Sequence, residues 1–547
     1  MNGRSLGHRA PLLWIVLPLI AGLAAGKAFA IESTGWPLGL ASLAAVGAAI
    51  ASWTGRRGWA MATAVAMVGA GVASHALHRA RLAAWATLPA REARVTLRVD
   101  RVFPQPEGRR ATGLATIVRA DAHLHDLAGQ RLYFSLMLAR GEPPPIRSAT
   151  IATVGVLVTL PANPPANTFD GYLAGAGMNF RLTRGRVVAT VSPPNGYYAF
   201  CARMAARCKA ILGLGIAAKR PALAGLLRAM MLGETHELSE EQHTLFMQSG
   251  TMHLFAISGL NIGVIATTIQ ALLLLARLRP AVRFAIGTAL LWLFVDVTGA
   301  APSAVRAFIM ATFLQAAFVV RRPANPLAAV AASALVVLLL SPLQVFSASF
   351  LMSYGIVLAL LVLGLPLGEA WVAAWSPWRD VPRVTWRWWQ RALALAWRWT
   401  GTAVAIGVAT TLMSLLTGVQ FFHLLTPGAL LANLALIPAA MGATVGGFAS
   451  VLCGLAGFDI GAVLCNHAAA LVLWTIESLV RVSVTIPGAF LAASFKAPWI
   501  GPAAIVTLIA ALLAGYAADW RRERGGWWPP FAIVALVLMF GVEFAPA

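Results

Sequence analysis

Residues 249–266, Ser-Gly-Thr-Met-His-Leu-Phe-Ala-Ile-Ser-Gly-Leu-Asn-Ile-Gly-Val-Ile-Ala, set His253, Ser258, Gly259, Asn261 and Gly263 inside an otherwise apolar run of membrane-spanning length. In hydrocarbon an unpaired polar group costs several kcal/mol, so such groups face a partner or a water-filled path. A serine and a histidine can act as nucleophile and base. Five residues along a regular helix are about 140° apart, however, so Ser258 and His253 do not face one another. His423 or His467 would have to approach from elsewhere to make an intramembrane hydrolase. Gly259 and Gly263 have the spacing of close helix packing. Gly259 directly after Ser258 can also break the helix and bare backbone N–H groups where an anion passes.

Further polar groups interrupt other apolar runs: Asp296, Arg306, Ser349, Ser353, Tyr354, Gln420, His423 and Asn433. Asp296 and Arg306 are expected to neutralise each other, and a paired ion can still line a pore. Asn433, in Leu-Leu-Ala-Asn-Leu-Ala-Leu-Ile-Pro, can hydrogen-bond between helices. His123-Leu-His125-Asp126 offers two histidines and an acid, but no third and fourth ligand accompanies them, and a turn between strands is expected. No metal and no cofactor are expected, and no GxxxxGK[ST] nucleotide loop occurs.

These residues must be positioned by membrane helices. The chain is 59% hydrophobic and 11% charged over 547 residues, which excludes a soluble globule. Apolar segments fall near 11–30, 36–51 and 59–77, then near 250–276, 281–298, 302–320, 325–340, 344–366, 397–417, 425–457, 460–484, 498–516 and 528–545. The fold class is therefore a polytopic α-helical membrane protein of about 12–13 segments. A shorter run at 221–233 is expected to lie on the surface. Arginines at 4 and 9, 56 and 57, 277 and 279, 321 and 322, 371–399, and 521, 522 and 524 fit one topology, with a cytoplasmic N-terminus and an outer C-terminus. In that topology the intramembrane polar groups gather in the outer half, as an outward-open vestibule would require.

Residues 79–200 alternate apolar and polar positions in five short runs between Pro/Gly turns: 95–99, 114–117, 132–136, 151–160 and 186–191. A small extracytoplasmic β-barrel of OB type fits that count. Its arginines, Arg94, Arg98, Arg101, Arg109, Arg110, Arg119 and Arg131 among them, read either as a solvated face or as a phosphate-binding footprint. The net charge of +22 points the same way, toward nucleic acid or anionic lipid. The organisation expected is thus helices at 1–78, a β domain at 79–200, amphipathic helices at 201–249 and a helical channel domain at 250–547. Within the last, 371–399 holds eight tryptophans and five arginines. Arg383, Arg387 and Arg391 repeat on one helical face, as an interfacial helix would have them; a stacking platform for single-stranded bases is the alternative. Cysteines 201 and 208, about 10 Å apart on a helix, are too distant for a disulfide.

The Met252–Val264 run resembles the signature of the ComEC competence family of DNA-uptake channels. Phe169-Asp170, Tyr172-Leu173, Leu232-Gly233-Glu234, Pro302–Ala307, Phe350–Tyr354 and Phe422-His423 through Asn433 and Pro438 agree with it in order. The resemblance implies an outer OB-like domain and passage of one DNA strand through the inner membrane during transformation. It further implies a cytoplasmic helicase or translocase, an extracytoplasmic DNA receptor and contact with membrane lipid. Two departures stand out. Asn261 occupies a position where family members commonly have histidine. The metallo-β-lactamase-like nuclease domain of many members has no HxHxDH counterpart here, so a short form served by a separate nuclease is expected. The competing readings are a small-molecule or lipid transporter, which predicts inverted repeats, and the intramembrane hydrolase. The sequence leaves the oligomeric state open.

Overall fold

The computed structural model describes residues 10–55, 58–83, 89–103, 105, 110–161, 164–165, 168–375, 377–378, 381–521 and 525–544. The chain opens with three apolar helices, α1 (Leu13–Ala28), α2 (Gly35–Trp53) and α3 (Trp59–Ala83). α1 and α3 approach backbone to backbone, because Gly22 faces Val68 and Gly71 while Gly71 faces Leu19. Any side chain at either glycine would force the helices apart.

A closed five-stranded barrel follows: β1 (Arg91–Phe103), β2 (Arg110–Ala120), β3 (Arg131–Met137), β4 (Thr150–Thr159), then α4 (Phe169–Gly175) and β5 (Phe180–Ser192). The strand order is β1-β2-β3-β5-β4, with β3 and β5 parallel and the other pairs antiparallel. This fits the OB-type barrel expected. Alternation places Val95, Leu97, Val99, Leu132, Phe134, Leu136 and Leu182 inside. Closure demands sharp curvature between β4 and β5. Gly155 and Gly185 meet there, and a Cβ on Gly155 would stand 2.8 Å from the Gly185 Cα. The His123–Asp126 stretch forms a short 3₁₀ turn between β2 and β3, in which His125 pairs with Asp126.

Beyond the barrel come α5 (Gly196–Ile211), α6 (Pro221–Leu232) and α7 (Glu240–Gln248). The surface position expected for 221–233 is wrong. Nine of the twelve residues of α6 are buried, and the helix lies in the largest apolar core. Apart from Arg228, which reaches Glu237, it is built of apolar residues, which suits a helix enclosed by others. The remaining helices are α8 (Gly259–Leu275), α9 (Pro280–Val297), α10 (Pro302–Val319), α11 (Pro326–Leu340), α12 (Ala348–Ala359), which runs through a π-helical turn into α13 (Leu365–Ala374), and α14 (Trp388–Phe422). After β6 (Leu424–Leu425) come α15 (Ala429–Leu455), α16 (Asp459–Val484), β7 (Leu491–Phe495), α17 (Ile500–Ala517), α18 (Trp528–Phe540) and β8 (Val542–Phe544).

Among the described residues ten helical segments are long and apolar enough to span a membrane. α1, α11 and α18, shorter but equally apolar, account for the other three segments read from hydropathy. The chain is thus a multi-pass membrane protein. Arg277 and Arg321 follow the ends of α8 and α10 with left-handed backbone, where a cation complements the helix dipole. The π-turn has a local cause. Pro366 cannot donate to the carbonyl of Val362, one turn back, and the indole Nε1 of Trp520 donates to that carbonyl instead, at 2.9 Å in the core.

The single helix expected across 383–397 is broken. Arg383–Thr385 is a 3₁₀ turn, Arg387 is extended, and α14 begins at Trp388. Gln390 stops further winding because its Oε1 accepts from the Arg387 N–H at 2.8 Å. Arg383, Arg387 and Arg391 therefore do not share one helical face. Trp378 stands edge-on to Trp386 and Trp389 beside them.

Candidate functional site

The Ser249–Ala266 run is not one continuous helix. α7 ends at Gln248, Met252–Leu254 makes a 3₁₀ turn, and α8 starts at Gly259 with Ser258 extended as its N-cap. The Ser258 Oγ accepts from the Asn261 N–H at 3.4 Å. Gly250 takes a φ of +70° and lies against Thr426 in the turn between α14 and α15. A side chain there would be strained and would meet the Thr426 hydroxyl, so glycine is required on both counts.

This break brings several helix starts together. Ser303, in the first turn of α10, donates to the Ile257 carbonyl at 2.7 Å. Gly259 lies against Ala307, 3.7 Å from where its Cβ would be. Arg306 Nη2 donates to the Ser349 carbonyl at 2.8 Å and to its Oγ at 2.7 Å, in the first turn of α12. Behind it, the Ser333 and Tyr354 hydroxyls share a hydrogen bond of 2.9 Å. The starts of α8, α10 and α12 thus meet, with the α14–α15 turn alongside. Each helix start carries a partial positive charge and unsatisfied N–H groups.

The barrel sits over the same end. Arg147, in the loop before β4, bonds Asp296 Oδ1 at 2.8 Å, and Tyr197 of α5 donates to Oδ2 at 2.9 Å. The Arg147 guanidinium also lies 4.5 Å above the Tyr198 ring. Burial first, and then the bond to Asp296, push the Tyr197 phenol well above its ordinary pKa, so it remains a donor. Gly175 of α4 abuts Ser347, the N-cap of α12. The expected neutralisation of Asp296 by Arg306 is therefore not formed: Asp296 is held by the barrel loop and α5. Neither Arg147 nor Tyr197 was legible as a partner, because each comes from a segment without periodic pattern, 149 and 99 residues away.

Other candidates scatter. His253 is exposed, with Nδ1 3.0 Å from the Gly250 carbonyl oxygen. His423 is also exposed and ends α14 with a left-handed backbone. Asn261 is turned into the core, where its amide donates to the Met230 carbonyl of α6 at 3.1 Å. This is a correction to any reading that sets it on an open wall. No neighbouring element comes within 4 Å of where a Cβ on Gly263 would stand, so the Gly259/Gly263 pair does not pack as a unit. Ser353 and Asn433 are half-buried, on α12 and at the start of the second turn of α15.

On the barrel, Arg94, Arg98, Arg110, Arg119 and Arg131 are exposed. Arg98, Thr116 and Arg131 form one cross-strand row over β1, β2 and β3, and Arg119 lies opposite Thr96 on the same outer face. Arg101 departs from this set: after a bulge it lies against the Phe103 ring, and burial lowers its pKa. Arg109 lies outside the described residues. Among the described residues Glu234, His236 and Glu237 come close enough to hold a metal ion. Lys209 already bridges both carboxylates at 2.6 Å, and Arg228 pairs with Glu237 at 3.1 Å, so this cluster carries its own counter-charge. Burial opposes the Lys209 charge, but the two glutamates prevail and raise its pKa.

Comparison with known proteins bears on this arrangement. The sequence model of the family described as "Competence protein" matches residues 230–521, more than half of the chain, including the converging starts of α8, α10 and α12. ComE operon protein 3 of Bacillus subtilis (strain 168) is 28% identical over 142 residues, which cover 26% of this chain and 18% of that relative. The matched part thus spans about a fifth of the relative's length. No solved structure matches. With its signature run, its barrel and its helical bundle in one chain, the protein belongs to the ComEC-type competence protein family.

Proposed function

We propose that this protein is an inner-membrane channel that admits single-stranded DNA to the cytoplasm during natural transformation. The observation that carries the reading is a coincidence at one end of the bundle. An OB-type barrel with an arginine row is docked beside three converging helix starts and Arg306, with Asp296 already neutralised. A polyanion crossing about 30 Å of hydrocarbon needs a basic collecting surface and a path without free acids. In this reading the barrel is extracytoplasmic, the N-terminus is cytoplasmic, and the arginines after α8 and α10 face the cytoplasm. His253, Ser258, Gly259, Arg306, Ser353, His423 and Asn433 border the path; Asn261 and Asp296 hold its walls.

The reading is transport without covalent chemistry. Ser258 Oγ serves as a helix cap and the His253 ring lies against a carbonyl, which gives no support to a nucleophile–base pair. A cytoplasmic helicase or translocase would supply the pull, and an outer receptor would deliver the DNA. Deletion of the gene, scored by labelled DNA reaching the cytoplasm, tests the proposal. Loss of entry with surface binding intact is expected, and unchanged entry refutes it.

A further inference from the structure

We propose that Arg306 is the centre of a binding site for a phosphate-type oxyanion. The guanidinium has five N–H donors and no means of losing its charge. Only Nη2 is engaged, by the two bonds to Ser349. Nε and Nη1 are buried with no hydrogen-bond partner in the protein, and the residue as a whole is 1% exposed. Among the described residues no carboxylate pairs with it, because Asp296 belongs to Arg147 and Tyr197. A buried cation in this condition is strongly disfavoured unless an anion accompanies it.

The surroundings add positive potential. Arg306 stands one turn into α10, whose N-cap Ala301 offers no side-chain acceptor. The start of α12 is tied to it through Ser349, and α8 starts against the adjacent Ala307. Ser349 Oγ accepts from Nη2, which leaves its own proton to donate. Nε–H, Nη1–H and Ser349 Oγ–H are then three donors for one anion. A phosphate or sulfate group supplies enough acceptor oxygens for all three, and a guanidinium binds such oxygens in forked geometry, whereas a halide gains nothing from a fork. Ser333 anchors the site from behind, donating to the Arg306 carbonyl at 3.3 Å while bonded to Tyr354.

Capture of a free oxyanion stands by itself. Its identification with backbone phosphate of a moving strand rests on the function proposed above. The test uses the full chain in nanodiscs of zwitterionic lipid, with inorganic phosphate as the probe and chloride at equal ionic strength as the control. Radiolabelled phosphate binding and thermal melting are read together. Saturable binding and a phosphate-dependent rise in melting temperature are expected for the natural protein.

Arg306→Gln should weaken phosphate binding at least tenfold. Without anion it should melt no lower than the natural protein, since an under-partnered charge has been removed. Ser349→Ala, which keeps the charge, should weaken binding several-fold and decides the matter should Arg306→Gln fail to fold. Phosphate binding unchanged in both variants, or no response beyond chloride in the natural protein, overturns the site. A short oligothymidylate should displace the labelled phosphate. If it does not while Arg306-dependent phosphate binding persists, the oxyanion site stands and the DNA reading fails.

Discussion

Replacing Arg147 with methionine, Asp296 left in place, is expected to loosen the barrel from the helical bundle far more than the opposite replacement. The Asp296 side chain is 1% exposed and that of Arg147 35%. Asp296 also lies in the last turn of α9, where the helix dipole disfavours a negative charge. Arg147→Met leaves that buried carboxylate with Tyr197 alone, a loss on the order of 3–5 kcal/mol. Asp296→Asn keeps one acceptor oxygen for Arg147, its amide NH2 can donate to the Tyr197 hydroxyl oxygen, and the cation left over reaches water, a loss of about 1 kcal/mol. The double variant should lose less than Arg147→Met by itself, because no unpaired charge remains. Docking can be read directly. A Cβ on Gly175 would lie 3.5 Å from that of Ser347, within the range of a disulfide. The pair Gly175→Cys and Ser347→Cys, with the four natural cysteines replaced, should crosslink readily. Crosslinking should fall sharply with Arg147→Met and little with Asp296→Asn. Equal crosslinking and equal melting for both variants would refute the reasoning.

Other outcomes follow from the same geometry. Trp520→Phe strands the Val362 carbonyl beside Pro366 and should cost about 1–3 kcal/mol, seen as a lower melting temperature in detergent; an unchanged value would deny the indole its role. If the barrel's arginine row meets phosphates as proposed, Arg98→Gln, Arg119→Gln and Arg131→Gln together should lower the salt slope for single-stranded DNA by about 2 in the intact protein. An unaltered slope would return these arginines to a solvated face. His253→Ala should leave stability within about 0.5 kcal/mol, since the ring is exposed, yet abolish DNA entry. Normal entry would remove His253 from the path.

The spans were legible because hydropathy is a local property, and so were the strands, whose alternation at 95–99 and 132–136 is read directly from residue types. The enclosure of α6 was not, because length alone suggested a surface helix while burial depends on which neighbours surround it. The break before α8 was half-legible: Ser258-Gly259 carries the cap and the breaker, but the contact between Gly250 and Thr426 spans 176 residues of chain. Arg306 was recognisable as a buried cation in an apolar run. Its partners were not, since Ser349 offers a carbonyl as well as a hydroxyl and no residue type announces its carbonyl. The α14 boundary was misread because Gln390 competes for the Arg387 N–H, a local hydrogen bond that a periodicity count does not weigh.

The small sheet of β6, β7 and β8 has a mechanical consequence. Its strands follow α14, α16 and α18, and the ladder joins Leu424 to Ala492 and Ala493 to Phe544. Sliding one of these spans past another by a single residue, about 3.4 Å, would break the ladder and reverse which side chains face inward. The five helices α14 to α18 are therefore riveted at this end and bear load as one plate. Among the described residues α8, α9 and α10 contribute no strand to it. In the proposed channel, widening for a strand of DNA is expected outside this plate, as at its seam with α8–α10, where Gly250 rides on Thr426.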